Sequence, residues 1–175
     1  VISYGKQSIN QSDIDSVVNV LQSDFLTQGP LVPQFEDAIK SYCGAEYAVA
    51  SNSATSSLHL ACMALGVGPG DTVWTSAITF AASSNCALYC NASVDFVDVE
   101  PSTFNMCAQQ LEIKLKIAKE NNCLPKVVIP VHLCGQPCEM EKIYELSQEF
   151  NFKIVEDASH AIGASYKGHK IGSCI

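Results

Sequence analysis

Five short apolar segments alternate with segments of helical periodicity through most of this 175-residue chain. The apolar segments are residues 45–50, 72–76, 94–99, 126–131 and 153–156, and the helical patterns between them are 55–65, 80–89, 108–121 and 140–150. The apolar segments lack the polar alternation of a half-exposed strand, which is typical of strands buried on both faces. Helical connections of this length join parallel strands. The sequence therefore predicts an α/β fold, a mostly parallel sheet covered by helices on both faces.

Two further helical patterns, residues 12–21 and 33–42, precede this alternation. Gly29-Pro30 separates them, and Cys43-Gly44 ends the second in the manner of a glycine C-cap. We expect the apolar stripe of the second pattern, which includes Phe35 and Tyr42, to face inward. We divide the chain into an amino-terminal helical segment, residues 1–44, and the first part of a larger domain, residues 45–175.

The composition argues against several classes of protein. The formal net charge is −8 and all ten basic residues are lysines, unlike the basic, arginine-bearing surface of a nucleic-acid-binding protein. Nine cysteines include no C-x-x-C pair, which favours free thiols over a zinc site or a disulfide framework. The first residues lack the apolar core of a signal peptide, and no stretch reaches the ~20 apolar residues of a membrane span. We expect a cytoplasmic protein that binds neither nucleic acid, membrane nor metal.

The segment Ile154-Val-Glu-Asp-Ala-Ser-His-Ala-Ile-Gly163 carries the first candidate functional residues. An apolar pair leads into two carboxylates, and a small-residue turn then carries a histidine. A carboxylate at the carboxyl end of a buried strand can hold a protonated ring nitrogen, as pyridoxal-phosphate enzymes require. Asp157 is also a good helix N-cap residue, so this segment alone leaves both interpretations open.

A second segment, Ser51-Asn-Ser-Ala-Thr-Ser-Ser-Leu-His-Leu60, places small hydroxyl residues where a strand would pass into a helix. Such a turn exposes backbone N–H groups at a helix N-terminus and favours a phosphate, although serine and threonine are ordinary caps as well. Neither G-x-x-x-x-G-K-[ST] nor G-x-G-x-x-G occurs. Ligands of parallel sheets bind beyond the carboxyl ends of the strands, so both segments are predicted at one edge of the sheet.

Together these segments resemble the DegT/DnrJ/StrS family of nucleotide-sugar aminotransferases. Further motifs occur in the family's order and at its spacings: Leu26-Thr-Gln-Gly29, Gly68-Pro-Gly-Asp71, Thr79-Phe-Ala-Ala-Ser83, Val97-Asp-Val99, Pro130-Val-His132 and Tyr166-Lys-Gly168. The chain looks most like the subgroup of pseudaminic-acid synthesis, which aminates carbon 4 of a UDP-linked 4-keto-6-deoxy-N-acetylhexosamine. The resemblance covers about the first half of a family member and implies the N-terminal part of the fold type I PLP-dependent transferase large domain.

The resemblance also implies a cofactor, substrates and an assembly. The cofactor would be pyridoxal 5′-phosphate (PLP), the amino donor an amino acid, usually glutamate, and the acceptor a nucleotide sugar used for the cell surface. The family forms homodimers. By their positions in the motifs, the residues expected to bind the cofactor are Ser53, Ala54, Thr55, Ser56, Phe80, Asp157 and His160, and those expected to line the sugar-nucleotide pocket are Thr27, Gln28 and Gly29.

Each of these roles follows from a family position, and most have a simpler alternative. Asp157 would pair with the pyridinium nitrogen, His160 with the phenolic oxygen, and Phe80 would stack on the ring. In the simpler alternatives, Phe80 would pack in the core and His160 would be a hydrogen-bonded core histidine. Residues 26–29 would then be a plain Gly-Pro turn. His132, at a strand end, is expected to be structural or to form a wall of the pocket.

The family's Schiff-base lysine follows a Ser-Phe-His-type segment that would lie beyond Ile175. None of the ten lysines here has a sequence context that suggests a replacement, so we expect this chain to be inactive alone. Two alternatives to an aminotransferase remain: a sugar 3-dehydratase of the same fold, with histidine in place of that lysine, and a non-catalytic half-domain that binds a partner or ligand. In the family fold, segment 45–50 pairs with a strand from beyond Ile175, so we expect it to be separated from the other four strands.

Overall fold

A four-stranded parallel sheet organises the computed structural model, which describes residues 6–173. Its strands are β1 (Thr72–Ser76), β2 (Ser93–Val97), β3 (Val127–Ile129) and β4 (Lys153–Ile154), in the spatial order β2-β1-β3-β4. The central strand β1 places Val73 opposite Val94 of β2 and opposite Val127 of β3. The predicted parallel sheet is confirmed.

In the described part of the chain, six α-helices surround or precede this sheet: α1 (Gln11–Leu21), α2 (Leu31–Cys43), α3 (Ala54–Ala64), α4 (Ala82–Tyr89), α5 (Ala108–Glu120) and α6 (Met140–Phe150). A short 3-10 turn, Leu133–Gly135, follows β3. The chain then forms an antiparallel hairpin of β5 (Ser165–Tyr166) and β6 (His169–Lys170). None of the helices is long and apolar enough to cross a membrane, as far as residues 6–173 show.

Two apolar cores lie on opposite faces of the sheet because neighbouring strand residues point to opposite sides. Val73 packs with the buried residues of α3 and α4, including Cys62 and Cys86. Trp74, the next residue, packs with α5 and α6. The sheet is therefore covered on both faces, as the apolar strands predicted.

The predicted strand at residues 45–50 is wrong. This segment belongs to neither sheet, and the side chains of Tyr47 and Val49 are 79% and 83% exposed. Two backbone N–H groups link it to α2: that of Ala45 donates to the carbonyl of Lys40 at 3.0 Å, and that of Ala50 donates to Glu36 Oε1 at 2.8 Å. An apolar segment forms a strand only where a neighbouring backbone completes its ladder, and the described residues provide none here. The sheet forms from the other four segments without it, as expected.

Helices α1 and α2 form as predicted but do not face a core. Asn10 caps α1 through its side chain, and Gly44, with φ +77°, ends α2. Neither helix has a buried residue, and Phe35, expected to point inward, is 56% exposed. Tyr42, expected inward as well, is also exposed. The expected packing is wrong because neither apolar core of residues 6–173 includes a residue of these helices; the Tyr42 ring contacts Lys170 of the hairpin instead.

A lysine ties the amino ends of β1 and β3 together. Lys126 Nζ lies 2.8 Å from Asp71 Oδ2, and the Lys126 backbone N–H donates to the carbonyl of Thr72 at 2.9 Å. The backbone N–H of Gly68 donates to the same carboxylate oxygen at 2.9 Å. The hydrogen bond from Lys126, with that from Gly68, lowers the pKa of Asp71 below its usual range.

Candidate functional site

A cavity of about 160 Å³ opens at the carboxyl ends of β1, β3 and β4. Its wall combines α3, the segment after β1, the end of β3 and the turn after β4. The lining residues are Ala54, Thr55, Leu58, Thr79, Phe80, Ala82, Val131, His132, Leu133, Asp157, Ser159 and His160. Five residues predicted for one site, Ala54, Thr55, Phe80, Asp157 and His160, thus meet around one cavity.

Asp157 is the buried acid of this cavity, with 6% of its surface exposed. Its backbone N–H donates to the carbonyl of Pro130 at 2.9 Å, and its carbonyl accepts the N–H of His132 at 3.1 Å. Its Oδ1 accepts hydrogen bonds from the Ser159 hydroxyl at 2.6 Å and the Ser159 N–H at 3.3 Å. Its Oδ2 accepts one from the Ser83 hydroxyl at 2.7 Å. No ion pair within residues 6–173 involves this carboxylate, so its described partners are the hydroxyl and amide donors of Ser83 and Ser159.

Within residues 6–173, the N-terminus of α3 has backbone N–H groups without a described acceptor. Ser53 caps the helix: its Oγ accepts from the Ser56 N–H at 3.2 Å, and its carbonyl accepts from the Ser57 N–H at 3.0 Å. The first two helical residues, Ala54 and Thr55, both line the cavity, and their N–H groups precede the first intrahelical bond. Ser53 and Ser56 do not line the cavity; Ser56 Oγ donates to Asn52 Oδ1 at 2.7 Å.

Phe80 and His160 are both exposed at the mouth of the cavity. Phe80 is 74% exposed, so the alternative that it packs in the core is wrong. His160 is likewise exposed while lining the cavity, so it is not a core histidine. A ring left open beside a cavity is available to a ligand.

His132 is completely buried beside the same cavity. Its Nδ1 accepts the backbone N–H of Cys138 at 3.1 Å, which places the ring proton on Nε2, and Nε2 donates to Glu156 Oε2 at 3.0 Å. Burial raises the pKa of the neighbouring Cys138 thiol to about 12. Both ring nitrogens are engaged, in agreement with the structural role expected for this histidine.

The residues predicted for the sugar-nucleotide pocket lie elsewhere. Gln28 and Gly29 line a separate depression of about 420 Å³ between α1 and α2, and Thr27 lines neither cavity. A Cβ on Gly29 would lie 2.8 Å from Phe25 Cβ, so this turn requires glycine. Within the described chain, the structure does not bring residues 27–29 to the cavity of Asp157.

A third and larger cavity, about 550 Å³, lies near the β5–β6 hairpin. It contains none of the residues predicted for the site. Its charged lining consists of Glu100, Glu139 and Lys167, and Lys167 is already paired with Glu141. Its size alone therefore does not make it the functional site.

The two serines that hold Asp157 were not among the predicted site residues. Ser159 lies two positions after the aspartate, and Ser83 ends the matched motif Thr79-Phe-Ala-Ala-Ser83. Their hydroxyls were indistinguishable from ordinary caps in sequence. Only the strand order brings Ser83 to Asp157, across 74 positions.

A model of the DegT/DnrJ/EryC1/StrS aminotransferase family matches residues 7–174. The chain belongs to this family. Among curated relatives, it is 41% identical over 172 residues to a UDP-4-amino-4,6-dideoxy-N-acetyl-beta-L-altrosamine transaminase of Campylobacter jejuni, covering 98% of this chain and 44% of the relative. It is 38% identical over 173 residues to GDP-perosamine synthase of Caulobacter vibrioides, covering 98% and 45%.

Solved structures of aminotransferases share the fold. The PLP form of a putative sugar aminotransferase, Spr1654 of Streptococcus pneumoniae, aligns with TM-score 0.87 at 30% identity, covering 99% of this chain and 46% of that one. PseC of Helicobacter pylori, an aminotransferase of pseudoaminic acid biosynthesis, aligns with TM-score 0.87 at 28% identity, covering 97% and 44%. The chain thus spans about half the length of its relatives and corresponds to the N-terminal part of the PLP-dependent aminotransferase fold.

Proposed function

We propose that this chain is the cofactor-binding half of a PLP-dependent nucleotide-sugar aminotransferase. The observation that carries the proposal is Asp157, a buried carboxylate without a cationic partner in the described chain, facing a cavity at the carboxyl edge of a parallel sheet. Family membership supplies the reaction class, and aminotransferases of this family depend on PLP.

The chemistry of the groups around the cavity fits this cofactor. Asp157 would hold the protonated ring nitrogen, and the amides of Ala54 and Thr55 would hold the phosphate, with Ser53 and Ser56 at the helix start but outside the cavity lining. Phe80 and His160 would contact the ring and its phenolic oxygen. A helix N-terminus binds a phosphate dianion without arginine, which suits a chain that has none. When bound, PLP supplies an electron sink for transfer of the amino group.

The chain's own residues have distinct tasks in this proposal. Asp157 would keep a proton on the ring nitrogen, because a carboxylate beside that nitrogen stabilises its protonated, positively charged form. The dipole of α3 orients the phosphate. Phe80, at the mouth of the cavity, would stack on the ring and exclude water from that face.

We propose that the Schiff-base lysine comes from outside these residues. No lysine lines the Asp157 cavity in the described part of the chain. Borohydride reduction of the chain with PLP, followed by mass spectrometry, should therefore give no single modified lysine. Stoichiometric labelling of one lysine would contradict this proposal.

The proposed amino acceptor is a UDP-linked 4-keto-6-deoxy-N-acetylhexosamine of pseudaminic-acid synthesis, with glutamate as donor. The altrosamine transaminase relative and the structural likeness to PseC support this substrate. The perosamine synthase relative supports a GDP-linked sugar almost equally. Thr27, Gln28 and Gly29 are proposed to contact the sugar nucleotide once the whole enzyme is assembled, in a cytoplasmic homodimer. In that enzyme, Gln28→Ala should raise the KM for the nucleotide sugar and leave the KM for glutamate unchanged.

The decisive test of the cofactor site is the binding of pyridoxamine 5′-phosphate (PMP), which needs no lysine. Calorimetric titration of the chain should show saturable binding, and Asp157→Asn should weaken it by about tenfold or more because one charge-assisted hydrogen bond is lost. Asp98→Asn, at an exposed aspartate, is the control and should bind normally. In the whole enzyme, Asp157→Asn should lower the amination rate by ~10²–10³-fold. Unchanged binding in Asp157→Asn would refute the assignment.

A further inference from the structure

Two hydroxyl groups in series connect the wall of the cavity to Asp157. Thr79 lines the cavity, and its Oγ1 lies 2.8 Å from Ser83 Oγ. Ser83 is completely buried in the first turn of α4, and its Oγ lies 2.7 Å from Asp157 Oδ2. These contacts form a chain from Thr79 through Ser83 to Asp157.

The chemistry of the groups fixes the direction of both hydrogen bonds. An ionised carboxylate accepts hydrogen bonds and donates none, so the single hydroxyl hydrogen of Ser83 points to Asp157. Thr79 must then donate to Ser83. Each bond in such a chain polarises the next, which strengthens the donor that reaches the carboxylate.

The local structure of α4 does not require the Ser83 side chain. The backbone N–H of Ser83 donates to the carbonyl of Phe80, and the start of the helix has no side-chain cap. A comparable buried serine, Ser76 at the end of β1, has no hydrogen-bond partner for its hydroxyl within residues 6–173. The Ser76 hydroxyl shows that this region tolerates a buried hydroxyl without a described hydrogen-bond partner. The Ser83 hydroxyl, in contrast, has two partners, Thr79 and Asp157.

The two oxygens of Asp157 are held in different ways. Oδ1 is held by Ser159, two residues away in the same turn, so these groups move together. Oδ2 is held only by Ser83 within the described chain, from a different element. Ser83 is thus the group that fixes the rotation of the carboxylate relative to the cavity.

We propose that Ser83, oriented by Thr79, is a positioning residue that aims the Asp157 carboxylate at the ring nitrogen of the cofactor. This inference rests on the proposed function. It implies that Ser83 contributes only to ligands that have a ring nitrogen. A merely structural role would affect every ligand of the cavity alike.

The experiment compares two ligands on one set of variants. The ligands are PMP and its carbocyclic analogue, in which C–H replaces the ring nitrogen, each titrated calorimetrically into the purified chain. The variants are Ser83→Ala, which removes the donor, Ser83→Thr, which keeps a hydroxyl, and Thr79→Val, which removes the first hydroxyl at similar size. Ser76→Ala is the matched control, because it removes a buried hydroxyl that has no described partner.

We expect Ser83→Ala to lower the affinity for PMP about tenfold, in keeping with the loss of one hydrogen bond to a charged group. The affinity for the analogue should be unchanged. Ser83→Thr should restore PMP binding, Thr79→Val should weaken PMP by a smaller factor, and Ser76→Ala should match the wild type. Equal weakening of both ligands by Ser83→Ala, or no weakening, would overturn the inference while leaving the proposed function intact. If circular dichroism shows that Ser83→Ala is unfolded, Thr79→Val replaces it in the comparison of the affinities for PMP and the analogue. A wild-type chain that does not bind PMP would overturn the proposed function and the inference with it.

Discussion

Hydrogen bonds of its own backbone N–H and carbonyl hold Asp157 in place. Its N–H and carbonyl bind Pro130 and His132, which follow β3, so the aspartate is fixed although β4 itself ends at Ile154. His132 in turn holds Glu156. The positions of Asp157 and Glu156 thus both depend on His132. Two predictions about single residues follow from these contacts.

His132→Phe should destabilise the chain by about 2 kcal/mol or more. The change leaves the Cys138 N–H and the Glu156 carboxylate without their ring partners in a buried region, and each unsatisfied group costs about 1–3 kcal/mol. Urea unfolding would measure the difference. His59→Phe is the control, because His59 is half-buried, packs its ring against Tyr89 and makes no side-chain hydrogen bond within residues 6–173. Equal midpoints for the two variants would contradict the role given to His132.

Cysteine labelling should separate two classes of thiol. Burial raises the pKa of Cys138 to about 12, so roughly 1 in 10⁴ of this thiol is thiolate at pH 8. Cys123 and Cys134 are exposed and free. Iodoacetamide at pH 8 should modify Cys123 and Cys134 in the native chain and Cys138 only in urea, as read by peptide mass spectrometry. Native labelling of Cys138 as fast as Cys123 would show that its surroundings open.

At the residue scale, sequence located the groups with an unusual setting but not their partners. Asp157 stands out because two carboxylates directly follow an apolar pair. Ser83 does not stand out, because serine in a first helical turn is common and its partner lies 74 positions away. The sugar-pocket residues 27–29 were predicted by resemblance, and their relation to the Asp157 cavity remains a prediction.

At the scale of elements, helices were predicted more closely than strands. The predicted helix at 140–150 matches α6, because its apolar spacing is satisfied by one sheet face. Strand bounds depend on the neighbour: β3 is three residues long where six were predicted. Segment 45–50 does not form the predicted strand for the same reason, because a strand needs a neighbouring strand to complete its hydrogen bonds. The described chain provides no such neighbour.

The link between Asp71 and Lys126 predicts how stability depends on pH at the amino ends of β1 and β3. The hydrogen bond from Lys126 lowers the folded-state pKa of Asp71, so the unfolded chain takes up the proton first as pH falls. The stabilisation is therefore present at neutral pH and is lost as pH falls below about 4, the usual range of the carboxyl. Asp71→Asn should lower the thermal midpoint at pH 7, and this difference should shrink towards pH 3. Asp98→Asn, which has no lysine partner in the described chain, should show no such trend; a difference independent of pH would contradict the assignment.

At the scale of the whole molecule, the uncovered apolar stripes of α1 and α2 are the main departure from an ordinary small domain. No residue of either helix is buried, and Leu21 and Phe35 are among their exposed apolar side chains. Sheet and cores were predictable from sequence because they are satisfied within the chain. The environment of α1 and α2 was not, because apolar periodicity shows which face will be covered and not what covers it. The division into residues 1–44 and 45–175 remains a prediction.

We expect the purified chain to be a dimer or larger oligomer through these stripes. Leu21→Lys with Phe35→Lys should shift sedimentation equilibrium towards the monomer, because each lysine would have to be desolvated in the contact. The control is Ile113→Lys with Ile117→Lys on the outer side of α5, which is also exposed. A monomeric wild-type chain with cooperative unfolding would contradict the expectation.

The parallel strand order also determines when the site can form during folding. Thr75 Oγ1 of β1 binds the carbonyl of Ile129 in β3 across 54 positions, and Ser83 reaches Asp157 across 74. Closing loops of this length costs conformational entropy before any contact repays it, and such topologies fold slowly. The half made of α3, β1, α4 and β2 needs only short loops to be closed and can collapse first. It does not include Asp157, so it cannot complete the cavity. During synthesis, the Asp157 cavity therefore cannot form until the turn after β4 has left the ribosome, and cofactor binding would report a late step in the folding of this sheet rather than an early one.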